Sequence, residues 1–174
     1  QGKPGRAAER EVRWSMPVTS EDGKLVVAGA RSADNKDRWF VTLDPESGKT
    51  RVIDRLTDEA WVREIGGFGG TNVEFLPDNK RVWFLSERDG WMHLYTVDVA
   101  AGNAGPVQLT SGQWEVTQAA LNSDGTKFYL TTTEVHPGER HAYVMSADGG
   151  ERTRLTSQTG AHDLTISPDE TAAA

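Results

Sequence analysis

The chain has 174 residues, of which 36% are hydrophobic and 26% charged, as is typical of one folded domain with a hydrophobic core. Its net charge of −7 disfavours nucleic acid as a partner, because an acidic surface repels a phosphate backbone. The chain has no cysteine, which excludes disulfides and thiolate metal sites, and no apolar run approaches the ~18 residues of a membrane-spanning helix.

The predicted elements are short β-strands that recur in units along the chain. Residues 1–11 are polar, and we expect a tail there, followed by a single domain at 12–174. The strand candidates are rich in β-branched and aromatic residues, as in "KLVVAG" and "RWFVTLD", then "RVWFLSE" and "HLYTVD", then "KFYLTTT" and "HAYVMSA". The predicted units span approximately 12–57, 72–110, 114–156 and, for the start of a fourth, 161–174.

Sequence landmarks keep the same order in successive units, which indicates a repeat architecture. One landmark is an aspartate in a tight turn, at Asp22, Asp78, Asp124 and Asp169, with spacings of 56, 46 and 45 residues. Another is a Leu-Thr pair after the last strand, at residues 56–57, 109–110 and 155–156.

Four antiparallel strands in about 45–50 residues form the blade of a β-propeller. The sequence therefore predicts an all-β fold, a partial propeller of about three four-stranded blades with the start of a fourth. A β-sandwich would also contain short strands and turns, but it would not explain the ordered repeat. Propellers close with about 4–8 blades, so we expect further blades in a longer parent chain, or copies of this chain that complete one another.

Several motifs resemble one known family. The runs "LSERDGWMHLYTVD", "LTSGQWEV", "TTTEVHPGERHAYV" and "RLTSQTGAHDLTISPDE" are similar to the propeller of the dipeptidyl-peptidase IV branch of the prolyl oligopeptidase serine peptidases. The resemblance extends from about Val12 to Asp169 and is best for the last blades before the hydrolase domain. It implies a parent protein with an N-terminal propeller followed by an α/β-hydrolase domain.

The catalytic residues of that family find no counterpart in this chain. The family's nucleophile lies in a Gly-x-Ser-x-Gly turn, and no serine here has a glycine two residues before it. Its Asp and His partners belong to the hydrolase domain, and the glutamate pair that holds a substrate's amino terminus belongs to earlier blades. We therefore assign no catalytic residue, no metal ligand and no cofactor, and whether the chain acts as an enzyme is left open.

One segment is a candidate for substrate binding on the strength of the resemblance. The run "EAWVREIGGFGG" aligns with a loop that faces the extended substrate site in relatives. The candidates are Trp61, Arg63 and Phe68. The glycines around Phe68 lack the lysine and the spacing of a phosphate-binding loop, which favours a connection between blades.

Other conspicuous residues favour structural roles. His93 and His141 hold the same position in successive units and lack metal-ligand spacing. Arg88 lies between two acidic residues, which predicts a local ion pair. Four further tryptophans are expected to pack between sheets, and these are Trp39, Trp83, Trp91 and Trp114.

The resemblance implies a non-catalytic propeller segment of a dipeptidyl-peptidase IV-like serine exopeptidase, which admits and positions short peptides for the hydrolase domain. Its partners would be the remaining blades, the hydrolase domain and the peptide substrate. The alternatives are a stand-alone propeller that binds proteins without peptidase activity, and a fragment that forms homo-oligomers. Relatives are often periplasmic or secreted, whereas the sequence itself leaves the compartment undecided.

Overall fold

The computed structural model describes residues 11–63, 73–101, 104–167 and 169–172. Across these ranges the chain forms thirteen β-strands and no helix. Accordingly, no helix of the described ranges has the length and apolar character needed to cross a membrane. The strands form three antiparallel sheets, each built from one continuous part of the chain.

The first sheet contains five strands, two of which share one edge of the sheet. Its strands are β1 (Val12–Trp14), β2 (Val18–Thr19), β3 (Val26–Ser32), β4 (Asp37–Leu43) and β5 (Thr50–Thr57). Both β1 and β2 pair with β3, at its opposite ends, so they form one interrupted edge. Ser15 fills the interruption, because its N–H donates to the Gly29 carbonyl at 3.0 Å and its Oγ accepts from the Gly29 N–H at 2.9 Å.

The second and third sheets are regular four-stranded meanders. In both, each strand pairs with the next one along the chain. The second sheet consists of β6 (Val73–Phe75), β7 (Arg81–Ser86), β8 (His93–Asp98) and β9 (Val107–Gln108). The third consists of β10 (Val116–Leu121), β11 (Lys127–Thr132), β12 (His141–Ser146) and β13 (Arg152–Arg154).

The second sheet is buried on both faces, because it lies between the first and third sheets. Successive side chains of its strands point to opposite sides and therefore pack in two different cores. On β7, Phe84 packs towards the first sheet, with its ring 4.9 Å from that of Phe40. Its neighbour Trp83 packs towards the third sheet, with its ring 5.2 Å from that of Phe128. Two cores therefore lie one on each side of the second sheet, as in adjacent propeller blades.

The aspartate turns that mark the repeat lie side by side at one end of the sheets. Asn79 in the second turn accepts a hydrogen bond from the Asp22 N–H of the first at 3.2 Å. Pro77 lies against Gly125 of the third turn. The turn of the fourth unit continues the row, since Glu170 accepts hydrogen bonds from Asn122 of the third turn and from Tyr129.

The all-β partial propeller is thus confirmed, with three blades and the start of a fourth. After the third blade, Ala161 forms a parallel bridge with Arg140. The sheets span 12–57, 73–108 and 116–154. The division of the whole chain into a tail at 1–11 and one domain at 12–174 stays a prediction.

Candidate functional site

The predicted binding segment lies at the end of the propeller opposite the aspartate turns. We call this end the loop rim. It is formed by the turns between the two middle strands of each blade and by the connections between blades, which are residues 33–36, 58–63, 87–92, 109–115 and 133–140.

The segment 58–63 leaves β5 and is held first by its own blade. The Asp58 carboxylate accepts hydrogen bonds from the N–H groups of Ala60 and Trp61, at 2.7 and 3.0 Å, which fixes a tight turn. Val62 is buried, its N–H donates to the Asn35 carbonyl at 2.7 Å, and its carbonyl accepts from Arg31 Nη2 at 2.6 Å. The segment is therefore bonded along its length to the first blade.

Arg63 extends these bonds to the other two blades. Its backbone N–H donates to Glu87 Oε1 of the second blade at 2.6 Å. Its Nη1 donates to Glu115 Oε1, next to the third blade, at 2.9 Å. One residue thereby contacts two carboxylates that belong to different blades.

Trp61 lies in the same segment and is 67% exposed, which is unusual for an indole ring. Arg63 is also exposed, with 48% of its side-chain surface accessible. The structure thus places Trp61 and Arg63 together on the loop rim. Phe68 lies outside the described residues, so the grouping of all three candidates stays a prediction.

A buried charge cluster lies between the first and second blades. Asp54 accepts two hydrogen bonds from Arg88, at 3.0 and 2.8 Å, and a third from Arg38 at 3.0 Å. The Arg38 guanidinium lies 4.1 Å from the centre of the Phe40 ring, and its burial lowers its pKa to about 10. The Arg88 guanidinium lies 4.8 Å from the centre of the Tyr95 ring, so the cluster is enclosed by aromatic side chains.

This cluster corrects the interpretation of Arg88 as a local ion-pair partner of the acidic residues beside it. Within the described residues, its ionic partner is Asp54, 34 residues earlier in the chain. The sequence also gave no indication of Glu87 and Glu115 as partners of Arg63, because they lie 24 and 52 residues away from it. Both glutamates lie in runs that carry the family resemblance, "SERDGW" and "WEV", but that position does not identify Arg63 as their partner.

His93 and His141, which occupy the same place in successive units, are structural parts of the repeat, as the sequence predicts. His93 Nδ1 lies 3.0 Å from Thr110 Oγ1, and His141 Nδ1 lies 3.0 Å from Thr156 Oγ1. Both rings are fully buried. In the first blade, Asp37 takes the position of the histidine and accepts a hydrogen bond from the threonine hydroxyl of that blade.

Over the described residues, no group of three or more His, Asp or Glu side chains is placed to hold a metal ion. A cavity of about 340 Å³ lies between the first two blades, at β2 and β6, and does not include Trp61 or Arg63. Glu74 lines it, and burial raises the pKa of this carboxyl group. The loop rim therefore presents an exposed aromatic side chain, Trp61, on a segment that is hydrogen-bonded to its neighbours.

Comparisons with known proteins find relatives over most of the chain. The family model of the dipeptidyl peptidase IV N-terminal region matches residues 7–174. A probable dipeptidyl peptidase 4 of Neosartorya fischeri is 34% identical over 158 residues, and the match covers 86% of this chain and 19% of that protein. The dipeptidyl peptidase 4 of Trichophyton equinum is 29% identical over 164 residues, covering 93% of this chain and 17% of that protein.

The solved structures show the same fold. The crystal structure of Porphyromonas gingivalis dipeptidyl peptidase 4 superposes with a TM-score of 0.74 at 18% identity, over 98% of this chain and 23% of that one. A putative dipeptidyl aminopeptidase IV from Bacteroides ovatus gives a TM-score of 0.71 at 18% identity, over 93% of this chain and 25% of that one. The chain spans about a fifth of the length of the curated relatives it matches.

Proposed function

Since the chain belongs to the family of the dipeptidyl peptidase IV N-terminal region, we propose that it is the non-catalytic propeller segment of a serine exopeptidase of that type. In this proposal the propeller restricts access to short peptides and positions their N-terminal end for an α/β-hydrolase domain. The observation that carries the proposal is the placement of Trp61 and Arg63 on a segment bonded to all three blades.

The physical basis is steric selection combined with positioning. A walled entrance excludes folded proteins and admits extended peptides. A binding segment that is already fixed lowers the entropic cost of bringing a peptide into reactive geometry. An exposed indole supplies a large rigid surface for apolar side chains, and a guanidinium supplies donors for peptide carbonyl groups.

The proposed partners include the remaining blades of the propeller. The face of the first sheet that points away from the second carries Trp14, Trp39 and Val52, because the strand register aligns these residues on one side. Trp14 is 61% exposed and Val52 is 52% exposed. An apolar sheet face of this kind favours a neighbouring blade, which would remove it from water.

The test is a peptidase assay of the full-length protein on short peptides with proline or alanine as the second residue. We expect W61A, R63A and F68A each to lower kcat/KM about tenfold, which corresponds to ~1.4 kcal/mol. R81A is the matched control for R63A, because Arg81 also pairs with carboxylates of two turns but lies at the opposite end of the propeller.

Two results would contradict the proposal. Unchanged kcat/KM in all three variants would remove these residues from the binding site. Absence of any peptidase activity in the full-length protein would favour a propeller that binds protein partners instead.

A further inference from the structure

We propose that Glu87 and Glu115 are positioning residues that hold the segment 58–63 in place through Arg63. Both glutamates direct a carboxylate to the same residue. The expected effect of these glutamates on substrate binding rests on the proposed function, whereas their contact with Arg63 does not.

The bonds of Arg63 divide between backbone and side chain. Glu87 fixes the position of the main chain, because it accepts from the Arg63 N–H. Glu115 fixes the direction of the side chain, because it accepts from the guanidinium. A residue held at both points keeps few of the orientations that an exposed arginine otherwise samples.

Each glutamate projects from a rigid base. Glu87 precedes Arg88, whose guanidinium is bonded to the buried Asp54 carboxylate. The backbone of Glu115 exchanges hydrogen bonds with Thr133, at 3.0 Å to the hydroxyl and 2.9 Å to the backbone N–H. The carboxylates are therefore attached to ordered parts of the second and third blades.

The same bonds contribute little to global stability. The Arg63–Glu115 pair is exposed on both sides, with 48% and 31% of the side-chain surfaces accessible, and exposed ion pairs are weak. Their effect is local, because they join the connection after the first blade to the next two blades. Loss of either carboxylate should loosen the segment that carries Trp61 without unfolding the propeller.

The experiment measures local order and kinetics in E87A and E115A of the full-length protein. We expect the Arg63 backbone amide to exchange with deuterium at least about tenfold faster in E87A, because its acceptor is lost, and measurably faster in E115A. We expect KM for short peptides to rise several-fold with little change in kcat, since binding rather than chemistry is affected. E115Q should restore most of the wild-type behaviour, because its amide oxygen still accepts from the guanidinium.

D148A is the matched control for E115A, because it removes the carboxylate of the Arg81–Asp148 pair, which is also exposed and has a similar length of 2.8 Å. It should change neither the Arg63 exchange rate nor KM. Unchanged exchange at Arg63 in E87A and E115A would overturn the inference.

The outcomes also separate this inference from the proposed function. Faster exchange with unchanged KM in E87A and E115A, while W61A still raises KM, would overturn the positioning role towards substrate and leave the proposed function standing. A different outcome is faster exchange in E87A and E115A while KM is unchanged in these two variants and also in W61A. That outcome would overturn the proposed function, but it would still support the role of the glutamates in holding the segment.

Discussion

Asp54 of the first blade accepts two hydrogen bonds from Arg88 of the second, and both carboxylate oxygens take part. The Asp54 side chain is only 2% exposed, and Arg38 donates to it as well. D54N would leave two guanidinium groups between the blades without a counter-charge. We expect it to lower the free energy of unfolding by about 3–5 kcal/mol, measured by chemical denaturation.

The control for D54N is D148N, which removes an acidic residue from an exposed pair. Asp148 is 76% exposed and also bonds an arginine of a neighbouring blade. We expect a change within about 0.5 kcal/mol, because water solvates the released arginine. A similar loss in both variants would show that burial does not decide the effect.

Thr110 follows β9 and is bonded to two adjacent residues of β8 through one hydroxyl group. Its Oγ1 accepts from the Leu94 N–H at 2.9 Å and lies 3.0 Å from His93 Nδ1, and the residue is 1% exposed. T110V would leave both groups buried without this partner, and we expect a loss of about 1–3 kcal/mol in unfolding experiments. T156V should cost less, because Thr156 makes the equivalent bonds in a half-exposed position where water can replace them.

The fold could be predicted because it depends on local patterns that repeat. Aspartate turns and runs of β-branched and aromatic residues mark each blade, and Trp83 and Trp114 are buried as expected, at 8% and 9% exposure. Trp91 was expected in the core and is 40% exposed. It lies in the turn between β7 and β8, where side chains do not alternate towards a core as they do within a strand.

The site could be predicted only in part, because its contacts join distant parts of the chain. The resemblance indicated the segment around Trp61, and its own sequence contains the aspartate that fixes its turn. The carboxylates that hold Arg63 come from two other blades. Pairing of that kind depends on how blades are placed around the axis, which no local pattern specifies.

Gly125 and Gly23 allow a matched test of contact between neighbouring turns. Both occupy equivalent aspartate turns with nearly equal positive φ angles, +71° and +72°. A Cβ atom on Gly125 would overlap the Pro77 ring of the preceding blade, whereas one on Gly23 meets no described atom within 4 Å. We expect G23A to cost about 1 kcal/mol through backbone strain, and G125A about 1–3 kcal/mol more.

A double variant isolates the clash at Gly125. P77A removes the ring carbons nearest to the added methyl group, so G125A should cost less in the P77A background than in the wild type. Chemical denaturation of the four proteins gives the coupling energy. Strictly additive losses would mean that the neighbouring turns move apart to accept the methyl group.

Tyr95 offers a buried hydroxyl group whose removal should not harm the fold. The residue is 2% exposed, and within the described residues its Oη has no hydrogen-bond partner. At neutral pH we expect Y95F to unfold with an unchanged free energy, or with one increased by about 1 kcal/mol, since an unpaired buried hydroxyl is costly. The control Y129F should be destabilised, because the Tyr129 hydroxyl donates to Glu170 at 2.9 Å.

The same tyrosine predicts a dependence on alkaline pH. Burial raises the pKa of Tyr95 to about 12, and the nearby charge of Asp89 adds to the effect. Because the folded pKa lies above the unfolded value of about 10, the unfolded state loses this proton first. The stability of the wild type relative to Y95F is therefore constant below pH 10 and falls as the pH rises from about 10 to about 12. Denaturation of both proteins across this range measures the difference, and parallel curves would show that the Tyr95 phenol titrates equally in the folded and unfolded states.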